Sequence, residues 1–140
     1  KNCIEWRGHR SGPDYSMAGN MLAGPQVLEQ TERAYVAASA MPFAERLMTA
    51  MEAGEAAGGD KRGKQGAAIL IHSTEDYPLL SLRVDDHPDP LAELRRLHAA
   101  SFERYQAFMG CLATKANPVG IIDRAEIDRR VASFQQGVNR

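Results

Sequence analysis

The sequence predicts an α+β fold in which helices pack against a mostly antiparallel sheet. Three observations predict this class: two amphipathic helical patterns follow the first 24 residues, two strand-like runs come next, and helical patterns fill most of the remainder. The chain lacks the strict strand–helix alternation of a doubly wound parallel sheet. Its 140 residues suit one domain, and its 44% apolar content is ordinary for a soluble protein.

The first 24 residues are predicted to form short strands joined by turns. KNCIEW, residues 1–6, alternates weakly, as a strand does. The glycines and the proline of RGHRSGPDY favour a turn over residues 7–15. SMAGNMLAG, residues 16–24, is an apolar run interrupted by glycine and predicts a strand or a bend.

Two amphipathic helices are predicted next. Pro25 suits the first position of one helix, and Pro42 precedes the other, which ends at Gly58 and Gly59. The apolar face of the first helix consists of Val27, Leu28, Thr31, Ala34, Tyr35 and Ala38. The stripe predicted to be buried on the second helix consists of Phe43, Leu47, Ala50, Met51 and Gly54.

Two strands are predicted in the middle of the chain. AAILIH, residues 67–72, is a continuous apolar run, which is typical of a strand covered on both faces. LLSLRVDD, residues 79–86, alternates instead, so Leu80, Leu82 and Val84 share one face. The two runs are predicted to pair as a hairpin.

Helical patterns follow residue 90. A seam at helical spacing passes through Leu91, Leu94, His98, Ser101, Tyr105, Phe108 and Leu112. Asp123 is a good N-cap for a final helix, because its side chain can accept a hydrogen bond from a backbone N–H of the first turn. The apolar stripe of that helix consists of Ile127, Val131 and Phe134.

Composition excludes several classes of partner. The net charge of −1 is unlike the basic footprint of a nucleic-acid-binding protein, and no apolar run approaches the length of a membrane span. Cys3 and Cys111 are too few for a disulfide framework, so both are predicted to be reduced thiols. These features predict a cytoplasmic protein that binds neither nucleic acid nor membrane.

The stretch GGDKRGKQG, Gly58–Gly66, contains the pattern G-x-x-x-x-G-K of a phosphate-binding loop. However, Gln65 stands where that motif requires Ser or Thr, and the loop follows a helix instead of a strand. A nucleotide site is therefore rejected, and no cofactor is predicted. Two interpretations remain open: an anion-binding nest in which Asp60 orients Arg62 among Lys61 and Lys64, or a solvated connector.

The stretch VDDHP places two carboxylates and an imidazole at the end of a predicted strand. Asp85, Asp86 and His87 form a candidate group for holding a metal or polarising a water. Adjacent strand residues point to opposite faces, however, so the alternative is a simple turn before Pro88. His9 and Asn20 lie in glycine-flanked segments where polar groups can be aimed at a ligand.

Four stretches together carry a family resemblance: NCIEW, WRGHRSGPDYSMAGNMLAGPQV, AERLMTAMEAGEAAGGDKRGKQGAAIL and LRVDDHPDPLAELRRL. They resemble the bacterial and archaeal family known as domain of unknown function 1028. The strings GN-L-AG and GGDKRG-Q, in that order, make the likeness specific. The resemblance extends from about Asn2 to Leu97, which is most of the chain.

The resemblance implies a fold like that of the N-terminal-nucleophile (Ntn) hydrolases, a four-layer αββα sandwich. It implies that residues 1–98 are the C-terminal part of that domain and that residues 99–140 are a helical extension. Lys1 cannot be the nucleophile, which must be a terminal Ser, Thr or Cys. The nucleophile is therefore expected on a missing N-terminal segment or on a partner chain, in a homo- or hetero-oligomer.

The activity that the resemblance implies is hydrolysis of an amide bond in a small, non-peptide or short peptide substrate. The implied catalytic residues are Asn20, Asp86 and His87. The implied substrate-binding residues are Trp6, His9, Asp60, Arg62 and Gln65. Two alternatives are a non-catalytic binding or assembly module of the same fold, and a metal-dependent hydrolase that uses Asp85, Asp86 and His87.

Overall fold

The computed structural model describes residues 6–138 and confirms the α+β class. The elements in chain order are β1 (Arg7–Ser11), β2 (Ser16–Asn20), α1 (Pro25–Ala37), α2 (Phe43–Ala56), β3 (Ala67–Ile71), β4 (Leu80–Val84), α3 (Pro90–Ser101), α4 (Tyr105–Met109) and α5 (Arg124–Val138). The described strands pair in two two-stranded sheets, β1 with β2 and β3 with β4. The chain forms two compact units: the first extends to Ala67 and includes residues 85–91, and the second comprises residues 68–84 and those from 92 onward.

The first unit begins with an antiparallel hairpin, in which Arg7 pairs with Asn20 and Ser11 with Ser16. The prediction of a turn over residues 7–15 is wrong for its first five residues, which form β1. Glycine stands within this strand at a crowded position, since a side-chain carbon at Gly8 would come within 2.8 Å of the Trp6 ring. The predicted strand over residues 1–6 lies outside the described residues except for Trp6, which precedes β1.

Helices α1 and α2 pack against each other and confirm both predicted helices. The buried residues of α1 are Val27, Leu28 and Tyr35, all on the predicted face. On α2, Phe43 is 51% exposed, so its place in the predicted stripe is wrong, and Met48 is buried instead. The apolar residues of α2 surround much of the helix, so spacing alone does not fix which of them face α1.

The second unit contains the sheet of β3 and β4, which confirms the predicted pairing. Ile69 is buried but Leu70 is 61% exposed, so the expectation that β3 is covered on both faces is wrong for this chain. Strand β4 alternates as predicted, with Leu80 and Val84 buried and Ser81 exposed.

The predicted helical seam continues only as far as Ser101, where α3 ends. Leu94 and His98 are buried as predicted, whereas Tyr105 and Phe108 are 40% and 38% exposed. The three residues between α3 and α4 interrupt the helical spacing, so the later residues leave the buried face.

Helix α5 begins where the sequence predicts. The Asp123 carboxylate accepts a hydrogen bond from the Glu126 N–H at 2.7 Å, which confirms the N-cap. The helix packs on α4 through a small core of Ala107, Cys111, Ile127 and Val131, with Phe134 partly buried against it.

Cys111 is buried and forms no disulfide with a described residue, and Cys3 lies outside the described part of the chain. Within residues 6–138, every helix is too short or too polar to cross a membrane. The cytoplasmic location and the domain boundary after His98 stay predictions.

Candidate functional site

An open cavity of about 690 Å³ lies in the first unit, between the hairpin, α1, α2 and the glycine-rich loop. The larger apolar side chains that line it are those of Met17, Leu22, Val27, Leu28, Met51 and Leu91. Its polar lining consists of Thr31, Glu55, Asp60, Arg62, Lys64 and Gln65. Apolar walls with a few grouped polar side chains are typical of a small-molecule site.

The glycine-rich loop is anchored to the segment that follows β2. The Ala23 N–H donates to the Gly59 carbonyl at 2.9 Å, and the Lys61 N–H donates to the Met21 carbonyl at 2.8 Å. Gly58 and Gly59 have φ values of 121° and 50°, which side chains rarely allow. These hydrogen bonds hold the start of the loop in place beside the cavity, whereas residues 61–66 are exposed, as the interpretation as a solvated connector expects.

The backbone of this loop is not arranged as an anion nest. The Arg62 N–H donates to the Asp60 carboxylate at 2.8 Å, and the Gly63 N–H donates to the Asp60 carbonyl at 3.0 Å. Because the Lys61 N–H is also bonded, three successive N–H groups have partners within the protein. The interpretation as a backbone anion nest therefore does not hold for these three N–H groups.

The predicted orientation of Arg62 by Asp60 is confirmed. Arg62 Nε donates to Oδ1 of Asp60 at 2.9 Å and Nη2 donates to Oδ2 at 2.6 Å. Hydrogen bonds from the side chain and the backbone of Arg62 lower the pKa of Asp60 to about 2. The same pair raises the pKa of Arg62. The fork of the guanidinium is thus occupied by Asp60, which leaves Nη1 for a ligand.

Lys64 connects the end of α2 to the segment before α3. Its Nζ lies 3.4 Å from Glu55 Oε1 and 3.3 Å from Asp89 Oδ1. Burial opposes the charge, but the hydrogen bonds and charges of these carboxylates outweigh it and raise the pKa of Lys64. The charge of Lys64 is therefore balanced within the protein.

The stretch that contains Asp86 and His87 meets the glycine-rich loop. The His87 N–H donates to the Gln65 carbonyl at 3.0 Å. Nδ1 of the His87 ring lies 2.8 Å from the Asp89 carbonyl oxygen and 3.0 Å from the Asp89 nitrogen, so it forms one hydrogen bond with the Asp89 backbone, whose direction depends on the tautomer. Asp86 is exposed. Asp85, Asp86 and His87 do not form a metal site, since no described residues gather into a group of three potential metal ligands.

The structure does not bring all of the predicted site residues together. Asp60, Arg62 and Gln65 line the cavity. His9 and Asn20 line a second recess of about 480 Å³ on the hairpin. Trp6, Asp86 and His87 line neither, although His87 is bonded to Gln65.

Several polar contacts in the first unit are not predicted by any pattern in the sequence. Tyr15 Oη donates to Glu32 at 2.6 Å, and Arg10 also donates to this carboxylate. The hydrogen bond raises the pKa of Tyr15 and lowers that of Glu32, to which Arg10 adds. Arg46 lies over the Tyr35 ring, 3.6 Å from its centroid. These contacts join residues at least 11 positions apart, and no local pattern signals them.

Comparison with known proteins gives a family and a structural relative. The model of the family of unknown function DUF1028 matches residues 1–94. A crystal structure of protein SPO2555 from Silicibacter pomeroyi, also assigned to DUF1028, is similar with a TM-score of 0.71 and 29% sequence identity. The alignment covers 86% of this chain and 53% of that one, so this chain spans about half the length of its relative. No match is found among curated proteins.

The family match covers about two thirds of the chain and includes the hairpin, both helices of the first unit, the glycine-rich loop and the first residues of α3. Residues 1–94 contain all of the cavity-lining residues. The chain therefore belongs to the DUF1028 family.

Proposed function

We propose that the protein contributes the substrate-binding part of an amide hydrolase with an Ntn-type, four-layer αββα fold. The observation that supports this proposal most directly is the cavity of about 690 Å³, because it combines apolar walls with Asp60, Arg62 and Gln65. Such a lining suits a small amide that has an apolar portion and a polar end. The nucleophile, a terminal Ser, Thr or Cys, belongs to a segment outside this sequence.

Each polar residue has a separate task in this proposal. Arg62 Nη1 and the Gln65 side chain bind the polar end of the substrate, and Asp60 holds the guanidinium in place. Asn20 offers its side-chain amide to the oxyanion that forms when the amide carbonyl is attacked. Asn20 ends β2 two residues before Leu22, which lines the cavity and pairs with Asp60. A substrate that crosses the end of β2 reaches both groups.

His87, next to the exposed Asp86, supports the glycine-rich loop. The His87 N–H fixes the Gln65 carbonyl at 3.0 Å, and the local bonds of the His87 ring fix the turn before α3. In this proposal His87 positions Gln65, and Asp86 keeps the catalytic role that the family resemblance implies. His9 and Trp6 bind substrate from the hairpin side.

The test is hydrolysis of a panel of small carboxamides, N-acyl amino acids and dipeptides, followed by amine release. We expect Arg62→Ala to raise KM about tenfold, since a hydrogen bond to a charged group is lost. Arg33→Ala is the matched control, because Arg33 is an exposed arginine of α1 that does not line the cavity. Unchanged kinetics in a folded Arg62→Ala protein would remove Arg62 from the site.

We further propose that the remaining part of the domain, on the same or a separate chain, completes the site. The 53% coverage of the structural relative supports this proposal, as does the 61% exposure of Leu70 on β3. Intact mass spectrometry of the purified protein, denatured and native, tests it. We expect a polypeptide that begins with Ser, Thr or Cys and remains with this chain in the native spectrum. A lone 15.4 kDa chain would contradict it.

One observation favours the alternative of a non-catalytic assembly module. Val36, Met41 and Phe43, around the junction of α1 and α2, are 52%, 42% and 51% exposed. Exposed apolar residues of this kind are common in protein–protein contacts. Sedimentation analysis and the amide-hydrolysis assay of Phe43→Ser together separate the two functions. An assembly module is expected to lose its oligomer, whereas the proposed enzyme is expected to keep its rate of amide hydrolysis.

A further inference from the structure

The register of the hairpin sorts its residues onto two faces. Residues directly opposite each other in an antiparallel pair point the same way, and successive residues alternate. Arg7 pairs with Asn20 and His9 with Ala18, so these four residues share one face, which we call the outer face. The opposite face carries Gly8, where a side chain would come within 3.3 Å of Leu28 on α1.

The outer face forms a recess of about 480 Å³ that is separate from the larger cavity. Gly8, Ala18 and Gly19 contribute little side-chain bulk to it, so the backbone of the hairpin is accessible. The larger side chains at the recess are those of Arg7, His9 and Asn20. Arg7 and His9 are both exposed. Arg7 is not among the site residues that the sequence predicts.

The described part of the outer face is rich in donors and has no carboxylate. The pairing places Arg7, His9, Ser11, Ser16, Ala18 and Asn20 on it. Glu32 shares a smaller neighbouring recess with His9, but its carboxylate already accepts hydrogen bonds from Arg10 and Tyr15. Arg7 therefore shares this face with amide, imidazole and hydroxyl groups, all of which can donate to an anion.

We propose that the outer face of the hairpin binds an oxyanionic group, a carboxylate or a phosphate, through Arg7. The planar fork of an arginine donates two parallel hydrogen bonds to either group. Asn20, the cross-strand partner of Arg7, adds a neutral donor, and His9, two residues along the same strand, adds a ring N–H. The small residues between them leave room for the anion to approach the sheet.

This site does not include the Asp60–Arg62 pair of the cavity, whose guanidinium fork is already occupied, although it shares Asn20 and His9 with the substrate site proposed above. It also does not depend on amide hydrolysis, because binding of a simple anion requires no turnover. Loss of anion binding with hydrolysis intact would overturn this inference alone. Anion binding without hydrolysis of any amide would leave it standing and weaken only the proposed function.

The experiment is a titration of ¹⁵N-labelled protein with sodium phosphate and, separately, with sodium acetate, at pH 7 and constant ionic strength. Two-dimensional NMR follows the backbone N–H groups of β1 and β2 and the Asn20 side-chain amide. We expect saturable shifts at Arg7, Gly8 and Asn20. Saturation by phosphate alone or by acetate alone identifies which oxyanion the site accepts, and saturation by both shows that it accepts either.

Two variants and one control make the titration decisive. Arg7→Ala is expected to weaken binding about tenfold or more, because it removes a charged donor. Asn20→Asp is nearly isosteric but puts a negative charge beside the anion, so it is expected to weaken binding similarly. Arg33→Ala removes the same charge from an exposed position on α1 and is expected to bind as the wild type does.

The absence of saturable shifts on the hairpin with either anion would overturn the proposal. Equal affinities in wild type, Arg7→Ala and Asn20→Asp would overturn it as well, because binding would then not involve this face.

Discussion

Arg62 encloses the carboxylate of Asp60, two residues earlier, with Nε at 2.9 Å from Oδ1 and Nη2 at 2.6 Å from Oδ2. The pair is formed within the loop itself, and the Asp60 side chain is 27% exposed whereas that of Arg62 is 64% exposed. The carboxylate is thus the fixed partner, and the guanidinium extends from it toward solvent. This arrangement determines the protonation of Asp60.

The pKa of Asp60 is the first test of this pair. Because the pKa is lowered from 3.8 to about 2, the stabilisation from the ionised carboxylate is present above pH 3.8 and is lost as the pH falls toward about 2. We expect Arg62→Ala to move the pKa back toward 3.8, but not completely, since the backbone N–H of residue 62 still donates. A ¹³C NMR titration of the Asp60 carboxyl measures it. A midpoint that is the same in both proteins would contradict the assigned contact.

Gly54 of α2 lies against Thr31 of α1 and sets the approach of the two helices. A side-chain carbon at Gly54 would come within 2.3 Å of Thr31 Oγ1, which donates to the Val27 carbonyl at 2.7 Å. We expect Gly54→Ala to lower the free energy of unfolding, because the clash outweighs the roughly 1 kcal/mol that alanine gains in helix propensity.

A double-mutant cycle isolates this contact. In a Thr31→Ala background the hydroxyl is gone, so Gly54→Ala is expected to be neutral or stabilising. Urea denaturation of the four proteins should therefore give a coupling energy above roughly 0.5 kcal/mol. Strictly additive effects would show that Thr31 does not limit the size of residue 54.

Asn20 is the test of the proposed oxyanion donor. If its amide stabilises the oxyanion, Asn20→Ala lowers kcat by about 100- to 1,000-fold with little change in KM. Steady-state kinetics on the best amide of the panel measure both parameters. Unchanged kcat would place the reacting carbonyl away from the outer face of the hairpin and restrict the site to the cavity lined by Asp60, Arg62 and Gln65.

The N-cap of α5 offers a stability test in the second unit. Asp123→Ala removes the acceptor for the Glu126 N–H and is expected to cost about 1 kcal/mol. Asp123→Asn is the matched control, since asparagine caps about as well. Equal losses in the two variants would mean that the charge of Asp123, and not its cap, stabilises the helix.

Local patterns in the sequence were sufficient to predict α1, the alternation of β4 and the Asp123 cap. In each case the signal and the structure depend on residues within a few positions of one another. Strand β1 of the hairpin was not predicted, because glycine usually indicates a turn and is taken as a strand-breaking residue. Gly8 instead makes room for the Trp6 ring and for Leu28. That requirement comes from tertiary packing, which the order of residues does not display.

The candidate site was predictable to a similar extent. The Asp60–Arg62 pair could be foreseen because its members are two residues apart, and its geometry is confirmed. The hydrogen bond of the Lys61 N–H could not be foreseen, because its acceptor, the Met21 carbonyl, lies in a distant segment of the chain. Arg7 could have been found by aligning the two strands of the hairpin, since the register places it opposite Asn20.

Met21 joins three segments of the first unit. It adopts a φ of 57°, which is uncommon for a residue with a side chain, donates its N–H to the Trp6 carbonyl at 2.9 Å and accepts from Lys61 at 2.8 Å. Trp6 is the only tryptophan in the sequence. The glycine-rich loop and the backbone of the sole tryptophan are therefore linked through one residue. A ligand that displaces the loop is expected to alter the surroundings of Trp6, and intrinsic fluorescence measures this without a label.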